Sequence, residues 1–157
     1  MSTLLVYWCA VMLVKSEIIE LKTHESIAIY NITDYISKFI EVTGLKNGHA
    51  LVFSRHTTTA LAINEYEERL LEDIKVHLDK LAPKDGKYLH NDLHLRIVPP
   101  DEPINAHSHL MAMMLNNSEY IPIIDGQLAL GTYQSVLFVE LDGPRDRTVL
   151  IQVSGET

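Results

Sequence analysis

The sequence contains little cysteine and a minority of basic residues. Cys9 is the only cysteine among 157 residues, so no disulfide can form within the chain and nothing points to an oxidising compartment. The 13 Lys and Arg are outnumbered by 21 Asp and Glu, giving a formal net charge of −8 with histidine neutral. An acidic surface repels phosphate backbones, so we expect no nucleic-acid partner. We expect a cytoplasmic protein.

The sequence also lacks an apolar run long enough to cross a membrane. Its most apolar segment, residues 1–14, stops at Lys15, whereas a membrane span needs ~20 apolar residues. The segment has neither the basic start nor the cleavage site of a signal peptide. It is interpreted as a buried or partner-covered strand, or as a start assigned too early, with Met12 the true beginning. We predict no membrane partner, an N-terminal extension over 1–14 and a single domain over 15–157.

Hydrophobic residues make up 46% and charged residues 22% of the chain, which are ordinary globular proportions. Three helices are predicted, at 33–44, 64–81 with Asn64 as N-cap, and 105–115 with Asn105 as N-cap. Strands are predicted at 15–21, 26–32, 49–54, 60–63, 120–124, 127–130, 135–141 and 148–153. Helices and strands do not alternate regularly, which disfavours a doubly wound parallel sheet. We predict an α+β domain, a mostly antiparallel sheet or sandwich with about three helices packed on it.

Residues 82–104 contain four of the six prolines and show little periodicity. They are predicted to form a long, structured loop with a short strand at 93–98. A loop of this length in a compact domain is usually functional.

Histidine is unusually frequent, at eight residues in 157, and four histidines lie beside other reactive side chains. Neutral imidazoles are standard ligands of catalytic zinc. The sequence therefore predicts a divalent metal, zinc, held by His90, His107 and His109, with His56 as an alternative ligand. Side chains two residues apart on a helix point to roughly opposite faces, so only one of His107 and His109 should reach a given site. A hydrogen-bonded structural role is the alternative for each histidine.

Three segments suit an anionic ligand. Thr57 and Thr58 belong to a run of three threonines at a strand end, Gln134 precedes a buried strand, and Arg145 lies on a turn. Strand propensity or capping explains the threonines equally well, and pairing with Asp142 or Asp146 explains the arginine. No Walker loop or Gly-x-Gly-x-x-Gly motif is present, so we expect no nucleotide or organic cofactor.

Five blocks, at 56–65, 88–91, 105–110, 131–134 and 142–145, occur in the order that characterises the YjbQ family, and the chain resembles that family from residue 15 to 156. Tyr133 stands where many relatives carry tryptophan, and His107 where some carry proline. The resemblance implies a single α+β domain assembled as a homotrimer, with a histidine-rich cleft near a subunit boundary.

The resemblance also implies a secondary thiamine-phosphate synthase, an enzyme that joins a pyrimidine pyrophosphate to a thiazole phosphate and releases pyrophosphate. That activity is weak in the family, which leaves room for another native substrate. The predicted catalytic residues are His56, Glu65 and His109, and the predicted substrate-binding residues are Thr57, Thr58, Asn64, Gln134 and Arg145. Two alternatives remain open: a metal-dependent phosphohydrolase, and a non-catalytic oligomer that binds a metal or a phosphorylated ligand.

Overall fold

The computed structural model describes residues 12–157, which form two antiparallel sheets and three helices. The strands are β1 (Leu13–Lys22), β2 (Ala28–Asn31), β3 (Asn47–Ser54), β4 (Thr59–Asn64), β5 (Ser118–Ile124), β6 (Gln127–Leu128), β7 (Ser135–Glu140) and β8 (Asp146–Glu156). The helices are α1 (Thr33–Thr43), α2 (Glu68–Leu81) and α3 (Ala106–Met114). The larger sheet has the order β1-β8-β3-β5-β6 and the smaller one β2-β7-β4. The predicted α+β fold is confirmed.

Strand β7 is buried on both faces, which explains its continuous apolar sequence. Side chains alternate across a strand, so Val136 and Phe138 pack between the two sheets while Leu137 and Val139 pack on the opposite side. The second side is covered by α2 and α3, which contribute Leu78 and Met111 respectively. The layers are therefore the large sheet, the small sheet and the helices α2 and α3, with β7 at the centre. Helix α1 instead contributes Ile36 and Ile40 to the apolar cluster between the sheets.

Several predicted element bounds differ from the observed ones, since β1, β5 and β8 are longer than predicted and β2 and β6 are shorter. Two larger differences concern the start of α2 and residues 93–98. Helix α2 begins at Glu68 and is capped by Glu67, whose carboxylate accepts from two backbone amides. The predicted cap, Asn64, instead ends β4, because pairing with β7 extends to the Asn64–Ser135 pair. The strand predicted at 93–98 is also absent: the segment forms single 3₁₀ turns at Leu89–Asn91 and Leu93–Leu95 and pairs with none of the described strands.

The apolar extension predicted over residues 1–14 lies outside the described residues as far as residue 11. Residues 13 and 14 already belong to β1, which pairs with β8 along its whole length. Within residues 12–157 no helix is long and apolar enough to cross a bilayer, the longest being the 14 residues of α2.

Candidate functional site

A cavity of about 600 Å³ lies where the β3–β4 turn meets α3. His56 and Thr57 come from that turn, and His109 comes from the helix. The remaining walls are Thr59, Ala112, Met113 and residues 115–118. The fold thus brings two separate histidine blocks of the sequence to one opening.

The imidazole of His56 is fixed against the large sheet. Strand β3 stops pairing with β8 at the Ser54–Val149 pair, and His56 Nε2 accepts the backbone N–H of the next β8 residue, Thr148, at 2.9 Å. Burial lowers the pKa of His56, and the positive charge of Arg147 lowers it further, while the Glu140 carboxylate opposes this shift. The ring is therefore held in one orientation and favours its neutral form.

A buried ion pair supports the turn from behind. Glu140 is fully buried and accepts from Nε and Nη2 of Arg147, both at 2.7 Å. Arg147 also donates to the hydroxyl of Thr58 at 3.0 Å, and the Thr23 hydroxyl donates to Glu140 at 3.0 Å. Burial by itself would raise the pKa of Glu140, but the Arg147 hydrogen bonds and the Asp142 amide outweigh it and lower the pKa.

Thr58 was predicted to bind substrate, but its side chain is buried against the Arg147 guanidinium and does not line the cavity. Sequence reasoning did not identify Glu140. The available signal was an acidic residue directly following the four buried apolar residues 136–139 of β7.

His90 and His109 form the closest pair of imidazoles at the site, with ring centroids 4.9 Å apart and planes inclined by 66°. The Asn91 carboxamide accepts the N–H of Ala106 at 3.1 Å and so attaches the His90 turn to the start of α3. Arg96 donates to the carbonyl of His90 at 2.7 Å and holds the other side of the loop. Burial lowers the pKa of His109, and the neighbouring His90 lowers it further.

His107 does not join this pair. It lies two residues before His109 on α3, which places the side chains about 200° apart around the helix axis. His107 is 4% exposed, and it does not line the cavity. Burial lowers its pKa, followed by the positive charge of Lys84. Of the three predicted metal ligands, the structure brings two together and leaves the third apart.

A metal ion partly fits this arrangement. His90 Nε2 is buried and has no hydrogen-bond partner among residues 12–157. Buried polar atoms are normally paired, so this nitrogen is available to a ligand such as a metal ion. Catalytic zinc normally takes three protein ligands, however, and within residues 12–157 no group of three or more His, Cys, Asp or Glu is arranged to hold a metal. One described chain therefore offers His90 and His109, and a site with three protein ligands would need one from outside residues 12–157 of that chain.

The guanidinium of Arg145 is hydrogen-bonded to Asp142 of the same turn. Its Nε donates to the Asp142 carbonyl at 2.8 Å and its Nη2 to the Asp142 carboxylate at 2.9 Å. Asn105 donates to the same carboxylate at 2.7 Å. It is the N-cap residue of α3, as predicted, but its side chain makes no capping hydrogen bond. The Arg145 side chain remains 40% exposed. Pairing with Asp142 was the alternative to phosphate binding, and phosphate binding stays a prediction.

Asn64, Glu65 and Gln134 lie at the other end of the small sheet. Thr59 pairs with Glu140 at the cavity end of β4, and Asn64 pairs with Ser135 five residues further on. At about 3.4 Å per residue this is a separation of roughly 17 Å. Glu65 is exposed, and the Gln134 carboxamide accepts the N–H of Gly131 at 2.8 Å. Within one described chain these residues do not share the His56 cavity.

Comparison with known proteins gives one consistent result. The family model described as "UPF0047 protein YjbQ-like" matches residues 17–156. A UPF0047 protein of Methanothermobacter thermautotrophicus is 43% identical over 136 residues, which are 87% of this chain and 89% of the relative. The crystal structure of a YbjQ-like protein of unknown function from Sulfolobus solfataricus is 34% identical with a TM-score of 0.83, covering 92% of this chain and 99% of that one. A hypothetical protein from Aeropyrum pernix, 36% identical, covers 90% and 99% of the two chains with a TM-score of 0.82. The chain therefore belongs to the YjbQ-like UPF0047 family.

Proposed function

We propose that this protein is an enzyme acting on a small phosphorylated metabolite, and that its reaction is of the thiamine-phosphate synthase type. A pyrimidine pyrophosphate is joined to a thiazole phosphate, giving thiamine phosphate and pyrophosphate. The observation that carries the proposal is the single cavity lined by His56, Thr57 and His109, with His90 packed against His109. We place the reaction in the cytoplasm, since the single cysteine indicates no oxidising compartment.

The residues of the cavity supply donors rather than a strong base. The hydroxyl of Thr57 and the imidazoles of His56 and His109 can donate hydrogen bonds to phosphate oxygens. A divalent ion such as zinc, bound to His90 and His109, would neutralise charge on the departing pyrophosphate. Arg145 does not line the cavity of one chain, and its proposed guanidinium contact with a phosphate requires it to exchange part of its Asp142 pairing.

A metal-dependent phosphohydrolase is the second candidate, favoured by the same His90–His109 pair. Transfer and hydrolysis both require negative charge to be stabilised on the leaving oxygens. They differ in the bond that breaks and in the acceptor. In the first case the bond between the pyrimidine group and pyrophosphate breaks and the thiazole accepts the pyrimidine group, whereas in the second a P–O bond breaks and water accepts the phosphoryl group. The cavity is large enough for a small metabolite in either case.

We further propose that the protein assembles as a homotrimer. The outer face of the large sheet carries exposed apolar side chains, from Val14 and Ile18 on β1 to Tyr120 and Ile124 on β5. Apolar surface of this extent commonly marks an interface between subunits. A neighbouring copy is also a source for the ligand that His90 and His109 lack within one described chain.

Metal analysis combined with turnover tests the proposal. Protein purified without chelator or histidine tag is expected to carry about one divalent ion per chain. It is also expected to turn over at least one substrate in a panel that includes the thiazole and pyrimidine pair and simple phosphomonoesters. The His90→Ala/His109→Ala double variant should lose both properties, and the variant of the exposed His24, His24→Ala, should keep both.

The outcomes separate the alternatives. Release of inorganic phosphate without the thiazole would indicate a phosphohydrolase. Saturable ligand binding without turnover would indicate a non-catalytic binding oligomer. Full metal content in the double variant would contradict the metal site.

A further inference from the structure

One of the two ring nitrogens of His56 accepts a hydrogen bond from the backbone. Nε2 accepts the backbone N–H of Thr148 at 2.9 Å, with the Thr148 hydroxyl 3.3 Å away. A backbone N–H can only donate, so Nε2 must present its lone pair and cannot carry a proton. The proton of the neutral ring must then be on Nδ1.

We propose that His56 is a fixed hydrogen-bond donor, through Nδ1–H, to a phosphate oxygen of the molecule bound in the cavity, and that it serves neither as general base nor as metal ligand. The inference rests on the phosphate-binding function proposed above for this cavity. It replaces the acid–base and metal roles that the sequence left open for His56.

Both excluded roles require a free lone pair. The lone pair of Nε2 is occupied by the Thr148 amide, and that of Nδ1 is replaced by a proton. Taking up a second proton would place an N–H of the ring against the N–H of Thr148 and break the bond. Binding a metal through Nδ1 would require either the same clash or a negatively charged imidazolate. A neutral donor is the remaining state of the ring.

The free nitrogen has access to the cavity. His56 lines the cavity wall, and Nδ1 has no hydrogen-bond partner within residues 12–157 and is not among their buried polar atoms. Because Nε2 is taken by the sheet residue Thr148, Nδ1 is the ring nitrogen left available to a bound molecule.

Neighbouring contacts keep this orientation fixed. Thr148 follows Arg147, whose guanidinium is locked between Glu140 and Thr58. The Arg147 guanidinium therefore fixes two things: the position of Thr148, which donates to His56, and the β3–β4 turn, which carries His56. Because the imidazole of His56 is already fixed in orientation, no free energy is spent on ordering it when an anion binds, and this favours anion recognition.

The protonation of the ring can be read directly by NMR. In protein labelled with ¹⁵N-histidine, long-range proton–nitrogen correlation distinguishes protonated from unprotonated ring nitrogens, and comparison with His56→Gln assigns the signal. At pH 7.5 we expect an unprotonated Nε2 and a protonated Nδ1. A proton on Nε2, or a doubly protonated ring, would overturn the inference.

Two isosteric variants separate the roles of the two nitrogens. The Gln oxygen in His56→Gln can take the place of Nε2 as acceptor for Thr148, whereas the Asn amide in His56→Asn can take the place of Nδ1–H as donor. Binding of inorganic pyrophosphate, measured by calorimetry with and without added zinc, should weaken about tenfold or more in His56→Gln and remain within a few fold in His56→Asn. Thermal stability should show the reverse order.

Each binding result has a distinct meaning. Normal wild-type affinity that is unchanged in His56→Gln would overturn the donor role alone. Equal loss in both variants would show that affinity does not depend on an N–H at the Nδ1 position and would overturn the donor role as well. Failure of the wild-type protein to bind pyrophosphate would contradict the proposed function together with the anion contact, while the NMR measurement would still report the ring nitrogens.

Discussion

Charged side chains around the cavity are held in pairs whose burial decides what each substitution does. Glu140 and Arg147 are fully or nearly buried, so neither charge has water as an alternative partner. Arg145 and Asp142 are partly exposed, so the arginine can exchange its partner at small cost. Substitution of Arg147 is therefore expected to affect folding more than substitution of Arg145.

Removing Arg147 is expected to destabilise the fold strongly. Arg147→Met leaves the Glu140 carboxylate buried without its partner, and we expect a loss of about 3–5 kcal/mol in the free energy of unfolding. Lys75→Met, which removes the half-buried partner of the exposed Glu72 and Glu25, is the control and should cost about 1 kcal/mol or less. Urea denaturation of both variants measures this, and equal losses would contradict the importance of the buried pair.

Arg145→Lys is expected to act on binding rather than on folding. A lysine keeps the charge but cannot make the forked contact with phosphate, so pyrophosphate affinity should fall by about 1–3 kcal/mol with nearly unchanged thermal stability. Calorimetry and a thermal melt of the same sample provide the measurement. A lower melting temperature with unchanged affinity would show that the Asp142 pairing is purely structural.

Among the elements, β7 has the greatest share in the core, because it separates two apolar layers. Its apolar run was readable from the sequence, as was the α2 periodicity. The start of α2 could not be predicted in the same way. Asn64 is a residue type that favours helix caps, but in the structure it pairs with Ser135 as the last residue of β4. The strand expected at 93–98 did not form, because the segment packs as 3₁₀ turns and pairs with none of the described strands.

Truncation in β7 tests its central position. Leu137 is 1% exposed between the small sheet and the helices, so Leu137→Ala should lower the free energy of unfolding by about 2–5 kcal/mol. Val42→Ala, at an 84% exposed position on α1, should change it by less than about 0.5 kcal/mol. Chemical denaturation at one protein concentration compares them, and a Leu137 loss no larger than that of Val42 would contradict the layered core.

At the scale of the whole molecule, several titrating groups make folding sensitive to acid. Burial lowers the pKa of His56 and of His107 from 6.5, so below that pH the unfolded chain binds protons that the folded chain does not. The pKa of Glu140 is lowered from 4.5, which has the same sign in a lower pH range. The contribution of these groups to stability is therefore fully present above pH 6.5, is partly lost as the pH falls below it, and is lost further below 4.5.

We therefore expect metal-free protein to be less stable at pH 5.5 than at pH 7.5. His107→Gln removes one of the titrating groups and should reduce this difference, while His24→Gln, which changes an exposed histidine, should leave it unchanged. Urea denaturation at both pH values and a fixed protein concentration is the measurement. Greater stability at pH 5.5 would reverse the expected sign.

Assembly is the second property of the whole molecule that can be measured. A trimer held through the outer face of the large sheet should give three times the chain mass by light scattering at micromolar concentration. Ile18→Lys, which places a charge among the exposed apolar side chains of that face, should shift the mass toward the monomer. A wild-type monomer would contradict the proposed assembly.

The sequence by itself determined the class of fold, the order of most elements and the histidine blocks, because hydrophobic periodicity and turn residues are local signals. Only the tertiary structure decided which blocks meet. His56, His90 and His109 converge because the β3–β4 turn, the loop after α2 and α3 pack together. Glu65 and Gln134 are kept apart from them by the length of β4 and β7. The role of His56 likewise depends on an amide 92 residues away in sequence, and no local pattern encodes a contact between such distant positions.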